Sequence, residues 1–367
     1  MTTLINKISL RYVTEDGEEL ETIPDSFKPL GYEELTGSKS SYSIEVKAGP
    51  GKTKLNGTTL EKGYTCNFPI TFNEEVTIYV LVQGGWLPIS FINHPNIIPD
   101  RNVISSIQQI KNGKIRNNTK STAWWLTFHR KSDLTINPLL YACEGNKKRL
   151  PTFQEFCTSF DEASQDIKNF FPNAKVVSYT DKYIYKQAYE LLLEISRKNA
   201  VEEEFLLETA SLVAIRPPDN EIADIQDAID NVALKLNILG ESLAYYLVIS
   251  CLYDAKDGSG YQSARKVLKP NQNYKKEQAY NTISDLNAIN LFIQSLSFPD
   301  IVFPICTCDK PLAAFWASIN PIARSVKNRK INVSFQLTEH LFPRLESQEI
   351  AKLGERINYK KTFLTNR

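Results

Sequence analysis

Two aspartates, each closing a short apolar run and each followed at once by a helical pattern, constrain this chain more than any other feature. Asn96-Ile97-Ile98-Pro99 leads into Asp100, and Val103, Ile104, Ile107 and Ile110 then recur at helical spacing to form one apolar face. Far downstream, Ile301 to Trp316 reads IVFPICTCDKPLAAFW, with Asp309 ending the strand pattern and another helix after it. A carboxylate at a strand tip, just before a helix, sits where open α/β sheets place their ligands, in the crevice outside the carboxyl ends of the strands. The expectation is that the rest of the chain brings Asp100 and Asp309 together.

From Asn93 onward strand and helix patterns alternate, which predicts an α/β fold for residues 93–367. Residues 1–92 read as a small all-β module, from short runs of Ile, Val, Thr and Tyr bounded by turn signals. Asn56-Gly57 and Gly84-Gly85 mark hairpins. AGPGKTK at 48–54 tempts a phosphate-loop reading, but Val46 stands where that motif needs its first glycine, so a β-turn is expected. Trp124 to Phe128 reads as a buried helix or strand. Thr152 and Glu155 make a capping-box pattern, and Gly145 reads as the residue that ends a helix. A long helical insertion is expected over about 153–275. Within it Ile222, Ile225, Ile229, Val232 and Leu236 hold helical spacing up to Gly240, ESLAYYLVISCLYD reads as a central buried helix, and 254–276 reads as an exposed loop. A last strand is expected over Ile331 to Leu337, then a basic helix or coil.

Four acids fall at interpretable places: Asp100 and Asp309 at strand ends, Glu144 near a helix end, and Asp285 within SDLNAINLF. Carboxylates converging at one sheet edge repel one another unless protons or a cation occupy the site. Magnesium and manganese favour such oxygen donors and serve phosphodiester cleavage. The plainer reading of each acid is a helix cap or a solvated helix end.

Asp100-Arg101-Asn102-Val103-Ile104 after a short strand resembles the opening motif of PIN-like nucleases. Cys306-Thr307-Cys308-Asp309-Lys310, with Leu312 and Trp316, resembles their late T-x-D motif. Glu144 and Asp285 match the second and third acids in order. The resemblance spans roughly residues 93–320 and departs from the family in the long stretch between Glu144 and Asp285, where Asp254 and Glu241 are alternative third acids. It implies a PIN-like α/β/α domain with a central parallel sheet, a Mg2+ or Mn2+ site held by Asp100, Glu144, Asp285 and Asp309, and endoribonuclease activity of the bacterial toxin or antiphage defence type. Asn102 and Thr307 then support the site. The alternative is a catalytically silent PIN-like module that serves as a protein-binding subunit of a larger defence or regulatory complex.

Net charge is +1, so any affinity for RNA must come from local patches. Between Lys111 and Arg149 the cations Lys111, Lys114, Arg116, Lys120, Arg130, Lys131, Lys147, Lys148 and Arg149 face only Asp133 and Glu144. Of these, Arg130, Lys131, Lys147, Lys148 and Arg149 are the candidate phosphate contacts. Trp124, Trp125 and Tyr141 are read first as core, and second as stacking surfaces. Asp181 to Asp230 is acidic, a solvated face or a docking surface for an inhibitor or partner protein. The β module is another candidate docking surface, and a homo-oligomer is compatible with the sequence.

Other chemistries find little support. His94, His129 and His340 are too scattered for a metal helix, the only clear Glu-x-Lys, Glu45-Val46-Lys47, precedes Pro99-Asp100 and so does not suit a restriction-type nuclease, and no G-x-S-x-G elbow is present. Cys306 and Cys308 alternate along a strand and read as core. Six cysteines without close pairing suggest a reducing, cytoplasmic setting; no membrane-length apolar run is present, and the opening residues do not read as a signal peptide, so none is expected.

Overall fold

The structure is a computed structural model describing residues 9–14, 16–37, 40–92, 96–116, 119–145, 147–177, 181–240, 242–296, 303–327 and 330–365. It separates into two compact units. One comprises Met1–Pro138, Asp161–Ser178 and Phe303–Lys310; the other comprises Leu139–Phe160, Tyr179–Val302 and Pro311–Arg367. The fold is mixed α/β.

The first unit is organised by a six-stranded sheet. Its strand order is Lys175–Val176, Thr135–Ile136, Asn96–Pro99, Ile305–Thr307, Tyr79–Val82, Gly85–Pro88. Strand Asn96–Pro99 runs parallel to both of its neighbours. The hairpin Tyr79–Val82/Gly85–Pro88 adds two antiparallel strands, so the sheet is mixed where a parallel one was expected. Nearly every side chain of that hairpin is buried. Its unbroken apolar run, rather than an alternating one, is the pattern of a strand covered on both faces. Residues 79–88 therefore share a sheet with Asp100, although the sequence reading grouped them with the N-terminal β module.

The remaining N-terminal strands form two small antiparallel sheets, one from Leu10–Val13, Glu19–Thr22, Thr53–Leu55 and Thr58–Thr59, the other from Ser26–Phe27, Ser41–Ala48 and Tyr64–Thr71. Ser41–Ala48 alternates exposed and buried residues, the signature of a strand with one wet face. Asn56 and Gly57 both have positive φ and turn the hairpin between Leu55 and Thr58. Gly85 is fixed by close approach: a Cβ there would lie 2.1 Å from the Leu30 carbonyl oxygen. The glycine-rich segment at 49–51 is a turn between strands, with Asp25 accepting from the Gly49 N–H and pairing with Lys52.

Trp124 to Phe128 lies in helix Lys120–Phe128. Trp125 is fully buried and donates through Nε1 to the Glu75 carbonyl at 2.8 Å, and Ser121 donates to Glu74 at 2.8 Å. Phe128, in contrast, is 63% exposed, against the expectation that this stretch is buried throughout.

The second unit is largely helical. It contains Leu139–Glu144, Lys182–Thr209, Asp219–Lys235, Leu243–Leu252, Lys276–Ser295 and Ser347–Thr365, and a hairpin Asn320–Lys327/Lys330–Gln336. All of Leu243–Leu252 is buried, as its all-round apolar sequence requires. Thr152 and Glu155 exchange capping hydrogen bonds at 3.3 and 2.8 Å, and Gly145 has φ +63° after the helix. Two expectations need correction here. Residues 254–276 are not simply an exposed loop: Ser263–Leu268 is a helix with Ala264, Val267 and Leu268 buried. Helix Asp219–Lys235 ends before Gly240; Asn237 takes the left-handed conformation there, at φ +56°.

Candidate metal centre

Strand Asn96–Pro99 lies between Thr135–Ile136, the next strand in the chain, and Ile305–Thr307 on its other side. The chain thus leaves Asn96–Pro99 toward one side of the sheet, and the strand carrying Thr307 sits on the opposite side. Open α/β sheets form their ligand crevice at such a place. The ladder registers Pro99 against Cys306, and the Asp100 N–H donates to the Cys306 carbonyl at 2.8 Å.

Asp100 is 5% exposed. Its Oδ1 accepts from the Val103 N–H at 3.0 Å, capping helix Arg101–Lys111. Its Oδ2 accepts from the Thr307 hydroxyl. The same hydroxyl oxygen accepts from the Asp309 N–H at 2.9 Å. Thr307 is fully buried, so one side chain fixes one aspartate and the backbone of the other. Burial pushes the Asp100 carboxyl up to about 6, and the Asp309 charge adds to that, against the lowering effect of hydrogen bonds from Thr307, Val103 and Asn102. Burial raises the Cys306 and Cys308 thiols, which keeps them neutral; Cys306 is a buried strand residue as expected, but the strand ends at Thr307, so Cys308 lies beyond it and is only part-buried.

The two strand-end acids are therefore brought together, and Asn102 and Thr307 contact Asp100. Glu144 and Asp285 belong to the second unit. Glu144 ends helix Leu139–Glu144, accepts the Tyr280 hydroxyl at its carbonyl at 2.8 Å, and lines a cavity of about 450 Å³ between that helix, Lys182–Thr209 and Lys276–Ser295. Asp285 is half-buried on Lys276–Ser295. Of the alternative third acids, Asp254 is taken by Arg216 and Arg265 at 3.2 and 3.0 Å, and Glu241 lies outside the described residues, as does His94.

Several cations offered for phosphate contact are already engaged. Lys147 and Arg149 pair with Glu155 at 2.7 and 2.9 Å, and Lys148 with Glu277 at 3.3 Å. Lys111 pairs with Asp166 at 2.9 Å. Arg130 donates to the Phe170 carbonyl and lies over its ring, while its neighbour Lys131 is exposed. Two contacts were not foreseen. Lys310, next to Asp309, pairs with Glu75 at 3.6 Å, and Ser106 hydrogen-bonds Cys308. Both depend on strand neighbours distant in sequence, which local spacing does not reveal.

Among the described residues, no group of three or more His, Cys, Asp or Glu forms a metal cluster. The Asp100–Asp309 pair nevertheless has the donor chemistry of a magnesium or manganese site. Mg2+ keeps several waters and takes one or two carboxylates. Among the described residues, no Lys or Arg pairs with Asp100, whose ionised form is penalised by burial, and a bound cation relieves that penalty. No described helix is long and apolar enough to cross a membrane. Compared with known proteins, the chain matches no family model, and no curated protein or solved structure resembles it significantly.

Proposed function

We propose that this protein is a divalent-metal-dependent, PIN-like nuclease that hydrolyses RNA, of the toxin or defence-effector kind. The observation that carries the reading is the Thr307 hydroxyl linking Asp100 to the backbone of Asp309 at the ends of adjacent parallel strands. The Asp100 and Asp309 carboxylates would hold a Mg2+ or Mn2+ ion, which would supply charge neutralisation for the phosphodiester and a water of lowered pKa. The protein's own groups do the rest. Thr307 and the Val103 N–H hold both Asp100 oxygens in fixed directions, so no reorganisation accompanies binding. Asn102 and the exposed cations of the first unit are proposed as groups that steer the phosphate backbone; Glu144 and Asp285 lie in the second unit and are assigned no part in this site.

The test is an RNA cleavage assay with manganese or magnesium, comparing wild type with Asp100→Asn and Asp309→Asn. Metal-dependent cleavage by wild type alone is expected. Equal behaviour of all three proteins sinks the reading and leaves the silent, protein-binding alternative.

A further inference from the structure

The nuclease reading leaves an aromatic pair on helix Lys120–Phe128 without a role. Phe128 is 63% exposed, and one of its faces stacks on Trp124 at a centroid distance of 5.1 Å with 12° between planes. Trp124 in turn meets the buried Trp125 edge-on at 5.2 Å, and Trp125 is anchored to the Glu75 carbonyl. His129 also meets the ring at about a right angle, at 5.0 Å, so the outward ring is backed by a rigid stack while most of it stays exposed. A lone exposed phenylalanine is unremarkable on a protein surface, but a stacked pair on a fixed base is a preformed π-surface.

The charge around it selects the ligand. Lys114, Arg116 and Lys120 precede the pair in sequence and Lys131 follows it. All four are exposed, and none has an ion-pair partner among the described residues, unlike Lys111, Lys147, Lys148 and Arg149. A flat apolar ring on a segment whose exposed cations have no ion-pair partner suits a polyanion that carries flat rings of its own. Glu75, which anchors Trp125, also pairs with Lys310 beside Asp309, so the helix and the carboxylate pair are tied to one segment.

We infer that Phe128, backed by Trp124 and flanked by Lys120 and Lys131, is a stacking platform for an unpaired base of single-stranded nucleic acid. Its ligand class rests on the nuclease reading, but binding alone tests it. Fluorescein-labelled single-stranded RNA and DNA are titrated in EDTA, which prevents cleavage, and followed by anisotropy. Phe128→Ala is expected to weaken binding about tenfold. Phe128→Tyr should restore it and Phe128→Leu should not, because leucine keeps apolar area but lacks a π-face. Lys120→Gln should reduce the salt slope by about 0.7. Duplex RNA should bind Phe128→Ala and wild type alike, since its bases are not free to stack.

Single-strand affinity unchanged in Phe128→Ala and Trp124→Ala overturns the platform and leaves the nuclease reading standing. So does a Phe128→Ala variant that loses only self-association in sedimentation, which would make the patch a contact between copies. No binding of either single strand at low salt overturns the platform too. Binding that depends on Phe128, in a protein that cleaves nothing with any divalent ion, supports the platform and removes the nuclease.

Discussion

The Thr307 hydroxyl donates to Asp100 Oδ2 and accepts from the Asp309 N–H, so a single buried side chain positions the Asp100 carboxylate and the Asp309 backbone. Valine is nearly isosteric with threonine but has no hydroxyl. Thr307→Val leaves a buried carboxylate oxygen unpartnered, and a hydrogen bond to a charged group contributes about 1.5–3 kcal/mol. Expressed in the barrier, that is roughly a ten- to hundredfold loss of the proposed metal-dependent cleavage. Thr307→Ser keeps the hydroxyl and should retain most of the activity. Cleavage rates of the two variants, checked against their unfolding midpoints, separate positioning from simple loss of fold. Full activity in a folded Thr307→Val protein would refute this role.

Asp100 and His129 give opposite pH slopes in one window. Burial holds the Asp100 carboxyl near 6, above its ordinary 3.8, so its contribution to stability is complete below about 3.8 and is lost as pH rises through about 6. His129 is 7% exposed, is bracketed by Ser90 and Ser132 hydroxyls at 2.9 and 3.2 Å, and is pushed down to about 4 by burial. Its contribution is complete above about 6.5 and is lost as pH falls through about 4. Each shift corresponds to about 3 kcal/mol in order of magnitude. In EDTA, Asp100→Asn should gain stability relative to wild type as pH rises from 4 to 7, since asparagine still caps the helix. His129→Gln should lose less stability than wild type over the same interval in reverse. Urea unfolding across this range reads both differences, and parallel curves for variant and wild type would refute the assignment.

These examples show what the sequence could and could not reveal. Asp100, Thr307 and Asp309 were legible because strand, carboxylate and helix follow one another locally, and the sheet needed only to align two such units. Phe128 was not legible. Trp124, Trp125, Leu126 and Phe128 make the segment apolar on nearly every side, so periodicity cannot say which ring faces water. The roles of Lys147 and Arg149 were half-legible. Thr152 and Glu155 announced a capping box, but nothing local showed that Glu155 also takes both cations. The hairpin at 79–88 carried its signal in an unbroken apolar run, yet its partner strand, Ile305–Thr307, lies too far along the chain for spacing to find.

Gly85 tests the geometry of that hairpin. Its φ of +150° is one that side chains seldom adopt, and an added Cβ would meet the Leu30 carbonyl oxygen at 2.1 Å. The Leu30–Trp86 bridge leaves that backbone no easy retreat, since each residue donates to the other, at 2.9 and 3.0 Å. Gly85→Ala should destabilise the protein by about 3 kcal/mol, combining backbone strain with the displaced bridge. A lowered urea midpoint with an unchanged slope is expected. An unshifted midpoint would mean that the strand sits elsewhere.

Asp254 separates a structural acid from the proposed catalytic ones. It is 4% exposed, and one oxygen accepts from both Arg216 and Arg265. Arg265 also donates to the carbonyls of Val213, Ala214 and Cys251, so the pair ties three segments of the second unit. Removing one partner of a buried ion pair leaves the other charges uncompensated, which destabilises by about 3–5 kcal/mol. Asp254→Asn should therefore lower the unfolding midpoint sharply, while the folded fraction keeps the proposed manganese affinity and cleavage rate. Asp100→Asn should do the reverse at pH 7: the proposed metal affinity is lost, while stability does not fall, since asparagine still caps the helix and carries no buried charge. Calorimetric manganese titration beside thermal unfolding of both variants separates a structural acid from a ligating one. If Asp254→Asn folds with an unchanged midpoint, its ion pairs do not hold these segments together.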